Sequence, residues 1–316
     1  MNGKPRLIVI GGPTASGKTA AAVRLCQKIN GEVVSSDSMQ IYRGMDIGTA
    51  KPFPEEMGDI PHHLLSIADP GEKYSAAAYR ELAIEAINNI YSAGRQPVVC
   101  GGTGLYIDAL TKPMSFAEHT GSDELRAELT ALSETMIGKL KLHSMLREID
   151  PESAERLHVN DVRRVIRAIE VYRMTGRTIT EQARLDSQRE GDFDVVMFAL
   201  NWPREILYDR INRRVDEMMR LGLVDEVKNL LSHGLTKGST AMQALGYKEI
   251  VQALDGEISM NEAVDSIKQG SRHYAKRQLT WFRRDDRVHW IDAPGKTLDQ
   301  IVDEMIKEIN IHAGSI

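Results

Sequence analysis

The chain has 316 residues, 42% of them hydrophobic and 27% charged, the make-up of a globular protein with one large or two ordinary domains. No apolar run reaches the 20 residues of a membrane span, which excludes a transmembrane helix and makes the cytoplasm the expected location. Forty basic residues against 45 acidic ones give a net charge of -5, which argues against a uniformly basic nucleic-acid binder but leaves room for a local basic face.

In chain order, RLIVI (6–10) is a short buried run ending in Gly11 and Gly12, the pattern of a parallel strand feeding a turn rather than of a signal peptide. A helix is predicted from Gly17 to about Asn30, with Ala20, Val23 and Leu25 among its apolar positions. GEVVSS (31–36) is the next strand and brings Asp37 to its carboxyl end. A helix over 74–94 stops at glycine, and QPVVCGGTG (96–104) reads as strand then turn. Strands follow at 192–202 and 287–292. Strands alternating with helices give an α/β fold, a doubly wound parallel sheet whose ligands bind beyond the carboxyl ends of the strands. Asp37 and Thr103 both belong there.

Between residues 112 and 184 the strand signal disappears and SDELRAELTALSETMI, KLKLHSMLREI, DPESAERL and NDVRRVIRAIEVYRMTG all read as helices. Asp150 before Pro151 and Asn160 before Asp161 are the expected N-caps, and Gly176 the stop. The expectation is an inserted all-helical domain over 112–184 within a core made of 1–111 and 185–316. Helices resume over 204–233, around 243–254 and over 260–284. The two cysteines, Cys26 and Cys100, lie far apart in apolar surroundings and read as buried small hydrophobes, so neither a disulfide framework nor a metal knuckle is available.

Gly12-Pro13-Thr14-Ala15-Ser16-Gly17-Lys18-Thr19 matches the phosphate-loop pattern G-x-x-x-x-G-K-[ST] in full. The glycines let backbone N–H groups turn onto phosphate oxygens, the helix beginning at Gly17 adds its positive end, Lys18 supplies a point charge and the Thr19 hydroxyl can ligate Mg²⁺. Strand, loop and helix in this order resemble the P-loop NTPase architecture, though the loop does not say whether its ligand is a nucleotide. Asp37 carries three readings: a turn residue, a metal-supporting carboxylate, or a general base across the crevice from the loop. Arg210 and Arg214 are one helical turn apart, with Arg213 beside them, and read either as surface ion pairs with Asp209 and Asp216 or as a clamp on a polyanion.

Over 260–284 there are six basic residues against two acidic ones, and Arg272, Lys276 and Arg283 fall on one stripe with Trp281 and Phe282 among them. In the inserted block Arg163, Arg164 and Arg167 lie opposite Val165, Ile169 and Tyr172. Such runs usually mean a solvated face, with the aromatics in the core. Two basic helices in an acidic chain also suit contacts to a phosphate backbone.

These residues together resemble the tRNA dimethylallyltransferase (tRNA isopentenyltransferase) family. The series GPTASGKT, SSDSMQIYRGMDIGTAKP, PHHLLSIADP, YSAAAYR, VVCGGTGLY, RLHVNDVRRVIRAIEVYRMTG, LYDRINRRVDEMMRLGLVDEV, ALGYKEI and AKRQLTWFRR runs in register from about residue 7 to 285. DSMQIYRGMDIGTAKP and AKRQLTWFRR are the specific members of the series. With only two cysteines, no zinc finger of the kind that some eukaryotic relatives carry is expected, and the tail after about 290 carries no motif.

The resemblance implies transfer of a dimethylallyl group from dimethylallyl diphosphate to N6 of the adenosine 3′ of the anticodon in tRNA. The phosphate loop would then hold a diphosphate leaving group with Mg²⁺ near Thr19. By position it makes Asp37 the acceptor of the N6 proton, Thr19 the residue near the bridging oxygen, and Arg214 a stabiliser of the departing charge. It also sets Asp37, Ser38, Met39, Gln40, Thr103, Arg126, Arg163, Arg164, Val165, Ile166 and Arg167 against the anticodon stem-loop. Gln243, Ala244, Leu245, Gly246, Tyr247 and Lys248 join them, as do Lys276, Arg277, Gln278, Leu279, Thr280, Trp281, Phe282 and Arg283. A monomer with no membrane contact is expected. The competing readings are a P-loop nucleoside or small-molecule kinase with Asp37 as base, a prenyltransferase acting on free adenine nucleotides, which the basic insertion argues against, and a non-catalytic RNA-binding module.

Overall fold

A computed structural model describes residues 3–116 and 123–314. By its own contacts the chain divides into two compact units, Met1–Thr111 with Asp192–Ile316, and Lys112–Gly191. The first holds six parallel strands: β1 (Arg6–Gly11), β2 (Gly31–Ser35), β3 (His62–His63), β4 (Gln96–Cys100), β5 (Asp194–Asn201) and β6 (Val288–Asp292). Their order is β3-β2-β4-β1-β5-β6. The chain leaves β1 for β2 on one side, passing over the place later filled by β4, and enters β5 on the other. That reversal opens a crevice at the carboxyl end of β1, where the phosphate loop begins.

Alternation along β1 shows why both faces of the sheet are covered. Ile8 and Ile10 point into one layer with Leu25 and Cys26 of α1 (Lys18–Ile29). Leu7 and Val9 point into the other, against α3 (Ala76–Ser92) and α4 (Gly104–Thr111), which follow the short α2 (Pro54–Met57). Of the predicted apolar positions in α1, Val23 and Leu25 are buried whereas Ala20 is exposed. The 96–104 segment does more than turn, since α4 starts at Gly104. Both cysteines are free and buried, as expected.

The second unit is all helical: α5 (Asp123–Leu132), α6 (Met136–Ile149), α7 (Pro151–Arg156), α8 (Val162–Thr175) and α9 (Ile179–Ser187). It reaches Gly191 because α9 runs past residue 184. Ser122, the expected first residue of α5, lies outside the described residues. Leu129, Leu142, Leu146, Val165, Ile166 and Ile169 form the core of this unit. Tyr172 departs from expectation: it is 38% exposed rather than sharing the buried face with Val165 and Ile169. Asn160 is not the N-cap of α8. Asp161 holds that position without a side-chain cap, because its carboxylate accepts the His158 N–H at 3.3 Å instead.

Asp150 does cap α7, and does more. Its carboxylate accepts the Ser153 N–H at 3.0 Å and hydroxyl at 2.7 Å, and the Thr180 N–H at 3.2 Å and hydroxyl at 2.7 Å, so it joins α7 to the first turn of α9. Burial alone would raise its pKa, but these hydrogen bonds outweigh burial and hold it below the usual carboxylate value.

Back in the first unit, α10 (Arg204–Leu221) and α11 (Leu223–Ser232) divide the predicted 204–233 helix at Gly222, whose φ of 101° needs glycine. The next helix, α12, covers only Tyr247–Leu254, and α13 spans Met260–Phe282. These helices bury Val215, Val227, Tyr247, Ile250 and Ile267 against Ile41, Tyr42 and Met45 from the loop after β2. The tail folds as α14 (Leu298–Gly314), whose Ile301, Val302 and Met305 close the α1 layer. Each such burial contributes roughly 1.5–3 kcal/mol, while the ion pairs of Arg24 and Lys28 with Asp299 and Asp303 lie in solvent and are screened.

Replacement of Asp150 by Asn is expected to destabilise the inserted unit by about 1–3 kcal/mol at neutral pH, the range for hydrogen bonds to a buried charge. Because the folded-state pKa is depressed, this stabilisation is present above the unfolded-state value near 3.9 and is lost as the pH falls through the folded value. Hydrogen exchange of the α7 and α9 amides should therefore separate the variant from wild type at pH 6 and bring the two together in acid.

Candidate active site

The phosphate loop joins β1 to α1 with three residues at positive φ: Gly12 at 122°, Ala15 at 61° and Gly17 at 95°. Ala15 tolerates this strained conformation because its surroundings fix it. Arg210 from α10 donates through Nε to the Ala15 carbonyl at 2.7 Å and stacks over Trp202, 4.5 Å from the ring centroid. Trp202 in turn donates its indole N–H to the Ser16 carbonyl at 2.8 Å. From α13, the Gln278 side-chain oxygen accepts the Thr14 N–H at 2.9 Å. The loop is thus held from outside at several points, and its interior is left for a ligand.

Two cations converge on that interior. Lys18 donates only to the Pro13 carbonyl, at 3.3 Å, among the described residues. Burial lowers its pKa; neighbouring Cys100 and Asp37 work to raise it and Arg214 to lower it. Arg214 reaches the Thr14 hydroxyl at 3.3 Å, and burial lowers its pKa too. Desolvated positive charges without a matched carboxylate favour an anion. The predicted arginine cluster therefore separates: Arg210 and Arg214 turn to the loop, whereas Arg213 pairs with Asp209 in solvent.

Asp37 follows β2 and faces this cradle, within electrostatic reach of Lys18, Arg214 and Tyr274. One carboxylate oxygen accepts the Met39 N–H at 2.9 Å, a local turn, and the other has no protein partner among the described residues. The Ser38 N–H donates to the Thr103 hydroxyl at 3.0 Å, which ties the Asp37 turn to the loop after β4. Thr14, Lys18, Thr19, Asp37, Ser38, Met39, Gln40, Arg214 and Gln243 to Lys248 all line one cavity of about 520 Å³, together with Arg277 and Gln278. Its wall also includes Gly48, Thr49 and Ala50 of the GTAKP stretch, Met218, and Tyr274, whose phenol is pushed up to about 12 by burial, with Asp37 adding to it. The sequence pattern assigned GTAKP no place of its own, and Tyr274 carried no signal distinguishing it from a core aromatic.

Several residues expected against RNA are engaged elsewhere. Gln40 spends its amide on the carbonyls of Thr49 and Ala50, at 3.2 and 3.1 Å, so it pins the cavity wall. Tyr247 is fully buried and donates to Glu226 at 2.6 Å. Val165, Ile166 and Phe282 are buried in the core, so their side chains cannot reach a nucleic acid without repacking it, and Gln278, though at the cavity, spends its amide on the protein backbone. Leu279 packs on the small cluster around Ala15, Ile211 and Ala275. By contrast Lys276, Arg277, Thr280, Trp281 and Arg283 are exposed, and so are Gln243 and Lys248. Within the inserted unit Arg163, Arg164 and Arg167 are exposed. There Arg126 forks onto buried Glu170 at 2.7 and 3.0 Å, and Arg167 stands 3.7 Å from the same carboxylate.

The IPP transferase family profile matches residues 40–285. A tRNA dimethylallyltransferase from Caldanaerobacter subterraneus is 50% identical over 287 residues, 90% of this chain and 91% of the relative. Among solved structures, the tRNA isopentenylpyrophosphate transferase of Bacillus halodurans is 43% identical, with a TM-score of 0.75 over 99% of this chain and 98% of that one. A eukaryotic dimethylallyltransferase described as acting on tRNA is 30% identical, with a TM-score of 0.79 over 91% of this chain and 74% of that one. With the phosphate loop, the Asp37 turn and the basic α13 meeting at one cavity in the first unit, the chain belongs to the IPP transferase family.

Proposed function

We propose that the chain is a tRNA dimethylallyltransferase that moves a dimethylallyl group from dimethylallyl diphosphate to N6 of the adenosine 3′ of the anticodon, releasing diphosphate. The observation that carries this reading is the shared cavity, in which a cationic phosphate loop faces a carboxylate with a free oxygen. In the reaction the allylic C–O bond breaks and its electron pair leaves on the diphosphate. Lys18, Arg214 and loop N–H groups meet the charge that develops there. The N6 lone pair forms the new C–N bond, and Asp37 accepts the N6 proton through its free oxygen.

Magnitudes support this division. A five-carbon group gains at most about 4 kcal/mol on burial, at ~0.8 per carbon, so the diphosphate supplies most of the donor's binding. Reaching N6 means flipping the base at a cost of roughly a few kcal/mol, which contacts to the anticodon arm offset. Exposed Arg163 and Arg164 of the inserted unit, with Lys276 of α13 and Arg283 at its C-cap, are the side chains we assign to that grip.

Among the described residues no three His, Cys, Asp or Glu side chains gather into a metal site. The Thr19 hydroxyl in the cavity suits a Mg²⁺ ion held mainly by diphosphate oxygens and water, and such an ion would neutralise charge on the leaving group. We further propose a monomer in the cytoplasm; among the described residues no helix is long and apolar enough to cross a membrane.

Nucleosides from tRNA incubated with the protein, Mg²⁺ and dimethylallyl diphosphate should contain an adenosine carrying five added carbons by mass spectrometry. Consumption of ATP with no prenylated adenosine would favour the kinase reading instead. Asp37→Asn should leave tRNA affinity nearly intact and slow single-turnover transfer by ~100-fold or more; wild-type chemistry in this variant would make Asp37 a turn residue only. Replacing Arg163 and Arg164 by Ala should weaken tRNA binding and flatten its salt dependence by about one unit for each phosphate no longer neutralised. The rate at saturating tRNA should hardly change, since binding removed equally from ground and transition states alters KM rather than kcat.

A further inference from the structure

Gln278 lies one turn before the end of α13 and is 5% exposed. Both ends of its amide are engaged by backbone from two different loops. Its oxygen accepts the Thr14 N–H at the crest of the phosphate loop at 2.9 Å, and its nitrogen donates to the Gly102 carbonyl at 2.9 Å. A Cβ on Gly102 would stand 2.0 Å from that nitrogen, so glycine is what lets the loop after β4 come so close. The next residue, Thr103, receives the Ser38 N–H at 3.0 Å and so fixes the turn that carries Asp37. Tyr274, one turn earlier on α13, lines the same cavity as Gln278.

The neighbours on α13 meet the end of β1 and the phosphate loop by packing. Phe282 presses on Gly11, where a Cβ would lie 2.3 Å from its ring, and Ala275 packs with Ala15. Gln278 is the polar member of this row, and its amide geometry is the only one here that engages both loops at once among the described residues.

We propose that Gln278 is a positioning residue, setting the phosphate loop and the Asp37 turn in register by clamping Thr14 N–H and Gly102 C=O with one buried amide. It does not touch RNA. Its service to the reaction rests on the prenyl-transfer reading above, but its service to the loop does not. A loop pre-shaped in this way binds an anion without first ordering itself, and holds the leaving group at a fixed span from the base.

The test uses Gln278→Met, which keeps the length and buried volume of the side chain and removes both hydrogen bonds. Calorimetry with inorganic diphosphate and Mg²⁺ should show affinity weakened about tenfold, and filter binding should show tRNA affinity within twofold of wild type. With both substrates saturating, single-turnover transfer should also fall about tenfold, because the Asp37 turn loses its reference. A variant that only lost stability would melt earlier yet, when folded, bind diphosphate as wild type does, which would overturn the proposal. So would a loss of tRNA affinity with diphosphate binding unchanged, which would make Gln278 an RNA contact. Tighter diphosphate binding would overturn it as well, since Gln278 would then be withholding the Thr14 N–H from the ligand.

Should the variant fail to fold, the wild-type protein alone decides. The Thr14 amide should resist hydrogen exchange before any ligand is added, and exchange at the rate of an open loop would remove the clamp. If wild type binds diphosphate but transfers no prenyl group, the functional reading falls, while the diphosphate arm still judges Gln278.

Discussion

A loop that aims its N–H groups at one point must turn its carbonyl groups outward, and those need donors of their own. Here Lys18 takes the Pro13 carbonyl, Arg210 that of Ala15, and Trp202 that of Ser16. Two of the three donors come from nearly 200 residues further along the chain, at the end of β5 and in α10. The phosphate loop is therefore not a local motif that folds by itself. Its shape depends on the segment after β5 returning to it, and the small cluster of Ala15, Leu207, Ile211 and Ala275 supplies the apolar contact for that return.

The same constraint distinguishes two lysines, Lys51, which is buried, and Lys18, which is half-buried. Lys51 is 7% exposed, and its ammonium donates to the Tyr42 carbonyl at 2.8 Å, to Asp46 at 2.5 Å and to the Ser66 hydroxyl at 2.7 Å. All three of its protons are used, which makes it a brace for the loop after β2. Lys18 has one long hydrogen bond, and burial lowers its pKa. Its remaining donors and those of Arg214 point to a multiply charged anion as the group that completes the site. A leaving diphosphate gains charge as its bond to carbon breaks, so donors placed for it act more strongly on the transition state than on the bound donor.

The sheet was readable in the sequence because its strands are nearly continuous apolar runs, such as RLIVI and VVMFAL, punctuated by glycine. The phosphate loop and the Asp37 turn were readable as motifs at strand ends. Less legible were features set by tertiary contact. Strand β3 has two residues and exists only because His62 and His63 pair with Val33 and Val34. Helix α14 shows apolar residues at 301, 302, 305, 306 and 309, a helical period, yet nothing in that period tells that it covers α1. Gln278 and Gln40 are polar residues in motif segments, so RNA contact was the natural expectation. Burial and the direction of each amide, which no spacing reveals, turn both toward the protein's own backbone.

Helix α13 shows how charge counting misleads and what it conceals. Of its basic residues, Lys268 pairs with Asp216 at 2.6 Å and Arg272 donates to Asn212 at 2.6 Å, so the first half of the helix is fastened to α10. Over the second half the inward positions are Ala275, Gln278 and Phe282, which seat the phosphate loop, and Lys276 and the C-cap Arg283 point outward. From 276 to 283 the axis advances only about 10 Å. The side chains assigned to tRNA and those that shape the donor loop are thus carried on opposite faces of the same two turns. On the proposed assignment, a helix used on both faces would fix the distance between the two substrates without any moving part. That is what a reaction needs when its allylic fragment must meet a nucleophile before water does.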